Sequence, residues 1–353
     1  MFLENRRPQF QGPANFFLRL FDVFSLLALL SVFLVILAGS IVRMTGSGLG
    51  CPDWPKCFGF WIPPTQESQL PPDYQEKYKI QGKKIARFNA FKTWTEYINR
   101  LIGALAGLFV FVAFLCALAL IQTSFRYTLA PAFSGVILMG LQGWLGAKVV
   151  SSLLAPYMIT IHMILALIIV GVLLYSAAWY RIPKLFFSSK RSSLTFLVFL
   201  NLLLLLFQIG LGTQVREGID GIKTALEGNL EKTTIESIGL VFLSHRSFSI
   251  FLLLAYGYQA FSFWSIRAEL GKKYAFIGAL PFGFIALEAI SGIGLYYWGL
   301  PPLLQPFHLL IASLLFANQF FITLMLMRNK KTDKIELIEN SNELASPYCL
   351  TRN

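Results

Sequence analysis

The stretch LFDVFSLLALLSVFLVILAGSIVRM, residues 20–44, decides the fold. It is one apolar run whose only charges are Asp22 near one end and Arg43 at the other. A helix of about 20 mostly apolar residues crosses the hydrocarbon core of a bilayer, and this run is longer. It follows Arg6, Arg7 and Arg19, and no small-residue cleavage site closes it. It therefore reads as a retained span rather than a signal peptide.

Working outward, seven further runs of the same kind lie near 95–121, 128–149, 157–179, 194–214, 240–263, 274–297 and 305–327. Only 14% of residues are charged and mean hydropathy is +0.61, where a soluble domain carries roughly a quarter charged residues. Backbone polar groups in lipid must be satisfied within the segment, so such runs mean helices. The period-2 alternation of a membrane barrel is absent. The expected fold is an all-α membrane protein with eight transmembrane helices.

The net charge of +12 does not call for nucleic acid. The positive residues fall in short segments between spans: Arg181, Lys184, Lys190 and Arg191; Arg267, Lys272 and Lys273; Arg328, Lys330, Lys331 and Lys334. The positive-inside rule makes these segments cytoplasmic. With eight spans, both termini (residues 1–19 and 328–353) and the linker 180–193 are expected there too, in an inner (plasma) membrane. The loop 45–93 is then outside despite Lys56, Lys77, Lys79, Lys83, Lys84, Arg87 and Lys92. The short loops agree with one another and outweigh it. Residues 217–239 read as a polar outer loop, and 329–353 as a polar, mobile tail.

Two halves, 20–179 and 194–327, repeat. Gly39-Ser40-Ile41-Val42-Arg43 ends the first span, and Gly212-Thr213-Gln214-Val215-Arg216 ends the fifth. Asn99-Arg100 near the outer end of the second span answers to His245-Arg246 in the sixth. Pro156 precedes His162 by six residues, and Pro302 precedes His308 by six. Four spans per half give both repeats one orientation, so two pseudo-symmetric four-helix bundles are expected side by side.

The chain has three histidines, His162, His245 and His308, all near the outer ends of even-numbered spans. One such residue is as readily a helix-packing group as a ligand. Three at one depth, two of them repeat-equivalent, favour ligation, because ionisable groups within a membrane are costly. Zinc fits poorly, with no third ligand at short spacing. Haem fits, because histidines on facing helices of a bundle supply both axial positions. Arg43, Arg100, Arg216 and Arg246 sit at the same ends and suit haem propionates, with interfacial snorkelling as the plainer reading. Glu96 lies one turn before Asn99, where the other half has Phe242 before His245. A carboxyl group there suits proton transfer, or merely a helix-dipole contact. Glu288 has no reading beyond helix packing. Cys51 and Cys57 bracket Pro-Asp-Trp-Pro-Lys; a disulfide would persist there on an oxidising face, and free thiols are the alternative. Cys116 reads as core and Cys349 as a tail thiol.

Taken together, these residues resemble the haem A synthase family over about 20–327. The likeness rests on Gly39–Trp54 (GSIVRMTGSGLGCPDW), Trp94–Gly103 (WTEYINRLIG), Gly143–Ser152 (GWLGAKVVSS), Leu211–Arg216 (LGTQVR) and the PPLLQPFHLLIASLLFANQ run within Gly292–Gln319. The resemblance implies oxidation of a haem O methyl group to a formyl group, giving haem A for cytochrome oxidase. It implies a haem b held by His245 and His308, with Arg216 and Arg246 beside it. It places the haem O substrate in the N-terminal bundle with His162, Asn99, Arg43 and Arg100, and makes Glu96 the catalytic residue. Haem O synthase and a membrane electron acceptor are the candidate protein partners. The chain departs from the family where many members have Glu-x-x-His-Arg, since Asn99 replaces that histidine and an amide is a poor ligand for haem iron. A second cysteine pair found in some relatives is also missing. A non-catalytic di-haem cytochrome b that only carries electrons is the alternative, and Glu96 speaks against it. A transporter would need ligands near the bilayer centre and broken helices, which the sequence does not offer.

Overall fold

The computed structural model describes residues 12–123, 125–182, 191–225 and 238–344, with side chains omitted at 191, 223–225 and 329–344. Among these residues no strand is present, and eight helices are long and apolar enough to cross a membrane. The protein is a multi-pass all-α membrane protein. The eight long helices, numbered in chain order, are α1 (Pro13–Met44), α2 (Ala90–Ala119), α3 (Leu129–Ser151), α4 (Pro156–Ala178), α5 (Arg191–Ala225), α6 (Leu240–Ser265), α7 (Lys272–Tyr297) and α8 (Leu304–Leu344).

Four helices overrun the expected spans by five residues or more, α1 by beginning at Pro13 rather than near 20. α2 begins at Ala90 rather than near 95 because Asn89 caps it, its side chain accepting from Lys92 N at 3.0 Å; a capped end lets a helix start before its apolar face does. α5 stays helical to Ala225, into the segment expected as loop, while 226–237 lie outside the described residues. α8 stays helical to Leu344, into the segment expected as a polar tail, of which 345–353 lie outside the described residues. Helical hydrogen bonding does not stop where hydropathy falls. Of the expected linker, residues 183–190 likewise lie outside.

The lateral surface explains why these helices need lipid. On α1 the residues turned outward are Val23, Leu26, Leu30 and Leu34, and those turned inward include Ser25, Ala28, Ser31 and Val32. A water-soluble helix has the opposite arrangement. In lipid the large apolar residues face the hydrocarbon, and small residues let helices approach closely. The closest case is Gly278 on α7, where a Cβ would stand 2.1 Å from the Phe263 ring of α6.

Helix α1 packs on α2, α2 on α3, α3 on α4 and α4 on α1; α5 packs on α6, α6 on α7, α7 on α8 and α8 on α5. Each half thus closes into a four-helix ring with the same neighbour order. α8 also touches α1 and α4. It is the axis of the molecule: 56% of its apolar segment is buried, and no other span exceeds 33%.

Below the outer ends the two rings are filled differently. In the C-terminal ring, buried polar side chains join all four helices. Asn201 Nδ2 donates to Gln259 Oε1 at 2.9 Å, and Gln259 Nε2 donates to Gly278 O at 3.2 Å. The Gln259 and Gln319 amides lie 3.0 Å apart, Gln319 Nε2 donates to Val198 O at 2.8 Å, and Tyr256 Oη donates to Asn201 O at 3.1 Å. Counting from Gly39/Gly212, Asn99/His245, Gly146/Gly292 and His162/His308, the same positions in the N-terminal ring are Ala28, Ala113, Ala132, Leu173 and Val110. Those five residues, with Ser25 and Ser176, line a small hollow. A polar clasp in one half corresponds to an apolar gap in the other.

The loop between α1 and α2 carries its own small core, in which Cys51, Cys57, Phe58, Leu70 and Tyr74 are buried together. Cys51 and Cys57 form a disulfide. Glu67 receives hydrogen bonds from Arg87 at 3.0 and 3.1 Å and from Tyr74 Oη at 2.9 Å. The Arg87 guanidinium and then the Tyr74 hydroxyl hold the Glu67 carboxyl below its usual value, while burial pushes the Tyr74 phenol up.

Candidate functional site

All four positions singled out at the outer ends of the even helices stand against a glycine on the preceding odd helix. A Cβ on Gly39 of α1 would lie 3.8 Å from Asn99 Oδ1 of α2. On Gly146 of α3 it would lie 3.5 Å from His162 Cε1 of α4. On Gly212 of α5 it would lie 3.1 Å from His245 Cε1 of α6, and on Gly292 of α7 it would lie 3.7 Å from His308 Cε1 of α8. Each ring thus holds a facing pair of such seats. At Gly212 a Cβ would crowd the imidazole, whereas at the other three seats it would stand in ordinary contact.

One turn before three of these glycines stands a polar residue, and in each case it reaches the histidine. Gln142 Nε2 donates to His162 O at 3.1 Å and lies 3.2 Å from His162 Nε2. Gln208 Nε2 donates to His245 O at 3.0 Å. Glu288 Oε2 lies 2.9 Å from His308 Nδ1, and Ser291 Oγ lies 2.7 Å from the same nitrogen. At the fourth seat the corresponding residue is Val35 and the facing residue is Asn99. Polar support occurs where a histidine is present and is absent where it is replaced. Gln142 and Gln208 escaped the reading of the sequence alone, and Glu288 was read there only as helix packing. The x-x-x-Gly spacing that marks them becomes visible only once the glycines are known to face the histidines.

The four arginines singled out in the sequence each engage other residues of the protein. Arg43 of α1 pairs with Asp220 at 2.6 and 2.8 Å, and Arg216 of α5 pairs with the other oxygen of the same carboxylate at 3.1 Å. The two repeat-equivalent arginines are thereby joined across the boundary between the bundles. Arg216 also donates to Gln305 Oε1. Arg246 is exposed, with its guanidinium over the Phe242 ring at 5.8 Å.

Arg100 is turned to the loop between α1 and α2. It donates to Asp53 O at 2.6 Å, Lys56 O at 3.1 Å and Cys51 O at 3.1 Å, and pairs with Glu96 at 2.5 Å. The second Glu96 oxygen accepts from Cys51 N at 3.0 Å. Glu96 is buried, 4% exposed, and its carboxyl group is tied to the loop. The loop backbone lies directly on the start of α2: Thr93 Oγ1 donates to Gly50 O at 2.9 Å, and a Cβ on Gly50 would stand 2.5 Å from Lys92 O. Only glycine permits that approach.

Two bundles of four membrane helices, with paired seats that carry three half-buried histidines, define a multi-pass integral-membrane protein. Comparison with known proteins gives the family. Residues 22–320 match the COX15-CtaA model, described as a cytochrome oxidase assembly protein, and the chain belongs to that family. Among its relatives, a protein of Azorhizobium caulinodans named Heme A synthase is 28% identical over 84% of this chain and 88% of its own length. Proteins of the same name are 32% identical in Shewanella oneidensis, over 53% of this chain and 54% of that protein, and 31% identical in Nitrosospira multiformis, over 41% and 44%. The match therefore spans about half the length of the latter two relatives.

Proposed function

We propose that this protein is a haem A synthase, an oxidoreductase that takes haem O as substrate and converts one ring methyl to a formyl group. The observation that carries the reading is the contrast between the seats. The C-terminal ring has two histidines on glycine seats, and the N-terminal ring has one histidine, an amide and, one turn from the amide, a buried carboxylate. Family membership and the names of the relatives agree with it.

His245 and His308 suit a resident haem b: an imidazole on each of two helices, each against a glycine, with the ring of His308 fixed through Nδ1. When bound, haem b supplies one-electron transfer. The protein's part is to hold both imidazoles at one depth and to enclose them in apolar helices. Arg216 and Arg246 stand at the rim, where carboxylate substituents of a macrocycle would emerge.

In the N-terminal ring His162 is the single histidine available to the substrate iron, with Asn99 and Gly39 opposite and Arg43 and Arg100 at the rim. Converting the methyl to a formyl group with water as the oxygen donor (R–CH3 + H2O → R–CHO + 4 H+ + 4 e−) releases protons together with the electrons. Glu96 is the acceptor for those protons, and Arg100 shares its charge between turnovers. Asp220, paired with Arg43 and Arg216, and Glu217, bonded to Thr160, join the two rings, so a haem held by His245 and His308 would stand beside the substrate ring and could take up its electrons. A membrane electron acceptor then takes them up, and haem O synthase is the candidate supplier of substrate. Both termini lie in the cytoplasm of an inner-membrane protein. The disulfide loop lies outside, since the Cys51–Cys57 bond persists on an oxidising face.

The test is extraction and mass analysis of the tetrapyrroles that co-purify with the protein. Haem B together with haem O or its oxidised derivatives is expected; haem B alone, at two equivalents per chain, would instead support a di-haem electron carrier.

A further inference from the structure

Glu288 was a buried acid on α7 without a function. We propose that Glu288 and Ser291 are positioning residues for His308: they fix its tautomer and make it the stronger electron donor of the two axial ligands in the C-terminal ring. The inference rests on the proposed haem b site.

The hydrogen-bond directions follow from counting hydrogens. Ser291 has one hydroxyl hydrogen, and it is donated to Glu288 O at 2.9 Å. With that hydrogen on the carbonyl, its Oγ accepts from His308 Nδ1, 2.7 Å away. Glu288 Oε2, 2.9 Å from the same nitrogen, is also an acceptor. Nδ1 thus carries the hydrogen, shared between a hydroxyl and a carboxylate oxygen, and the Nε2 lone pair is left to bind iron. An imidazole whose N–H leans on a carboxylate gains electron density and binds the metal more strongly.

His245 is supported otherwise. Gln208 holds its backbone carbonyl rather than its ring, and among the described residues its Nδ1 has no protein partner. The two ligands of one haem are therefore inequivalent. Stronger donation from His308 favours the ferric state and lowers the reduction potential, which suits a haem that passes electrons onward.

The experiment compares Glu288→Gln, Glu288→Asp and Ser291→Ala with the unaltered purified protein, by optical spectra, electron paramagnetic resonance and redox titration. The glutamine variant keeps an acceptor oxygen of similar size but weaker basicity. A raised midpoint potential with a retained six-coordinate low-spin spectrum is expected, with Ser291→Ala moving the same way by less. Should Glu288→Gln fail to accumulate, the aspartate and alanine variants carry the test. A normal low-spin haem with unmoved potential in the variants that accumulate would overturn the inference alone. Absence of any bis-histidine haem in the unaltered protein would overturn the functional reading beneath it.

Discussion

Replacing Gly212 by alanine puts a methyl group 3.1 Å from His245 Cε1. Contacts of 3.0–3.4 Å are tighter than nine in ten real Cβ contacts and require the neighbour to yield by a few tenths of an ångström. His245 has little room to yield, because Gln208 holds its carbonyl from the same helix that carries the new methyl. Overpacking of this kind costs about 1–3 kcal/mol, which corresponds to roughly 5- to 150-fold weaker retention of a haem ligated by that ring. Gly292→Ala is the matched control: its Cβ would lie 3.7 Å from His308 Cε1, an ordinary contact. The assay is haem dissociation to an excess of a soluble apo-haem protein, followed optically for both variants. Faster loss from Gly212→Ala with near-normal behaviour of Gly292→Ala is expected. Equal rates in the two variants would refute the idea that Gly212 makes room for the His245 ring.

Four further outcomes are expected. Gln259→Leu removes the hub of the C-terminal clasp, leaving buried partners on α5, α7 and α8 unsatisfied at about 1–3 kcal/mol; thermal scans in detergent should show a lowered midpoint, and an unchanged one would remove the clasp's structural role. Glu96→Gln keeps an acceptor for Cys51 N–H and should stall methyl oxidation while the C-terminal haem remains, as read by mass analysis of extracted haems; full conversion would exclude the proton-transfer role, and loss of all haem would make Glu96 a structural residue. Cys57→Ser opens a disulfide whose short loop contributes roughly 2 kcal/mol in the chain-entropy model and should make residues 45–89 the first site of protease cleavage, whereas an unaltered cleavage pattern would show that the loop core suffices. Because the Glu67 carboxyl is held below its ordinary value of 4.5 by Arg87, its contribution to the loop is present above that pH and lost as pH falls through the lower folded value; protease susceptibility should rise in that acid window in the unaltered protein and not in Glu67→Gln.

The eight spans and their class were legible because hydropathy alone carries them: a run such as residues 20–44 has no other stable form in lipid. The helix ends were less so, since the Asn89 cap and the continuation of α5 and α8 depend on backbone hydrogen bonding rather than on polarity. His245, His308 and His162 could be picked out by rarity and repeat position. What they stand against could not, because the facing of Gly212 to His245 or Gly292 to His308 is a matter of helix rotation. For the same reason Glu288 read as mere packing, and the bonds from Arg100 to the backbone of Cys51, Asp53 and Lys56 were not foreseen. The correspondence of Gln259 with Ala113, or Asn201 with Ala28, was written in the repeat spacing, but only the packed rings give the pairs a meaning.

The central claim is that the N-terminal ring does chemistry on a haem that the C-terminal ring serves. Its most direct test is to supply haem O to membranes that contain this protein as their only candidate catalyst, together with an electron acceptor, and to follow the tetrapyrroles by mass. The account predicts a hydroxylated product followed by the formyl product, haem A, and loss of that conversion in His162→Ala with the C-terminal low-spin haem intact. Haem O recovered unchanged from membranes whose C-terminal haem is fully assembled and redox-active would contradict it.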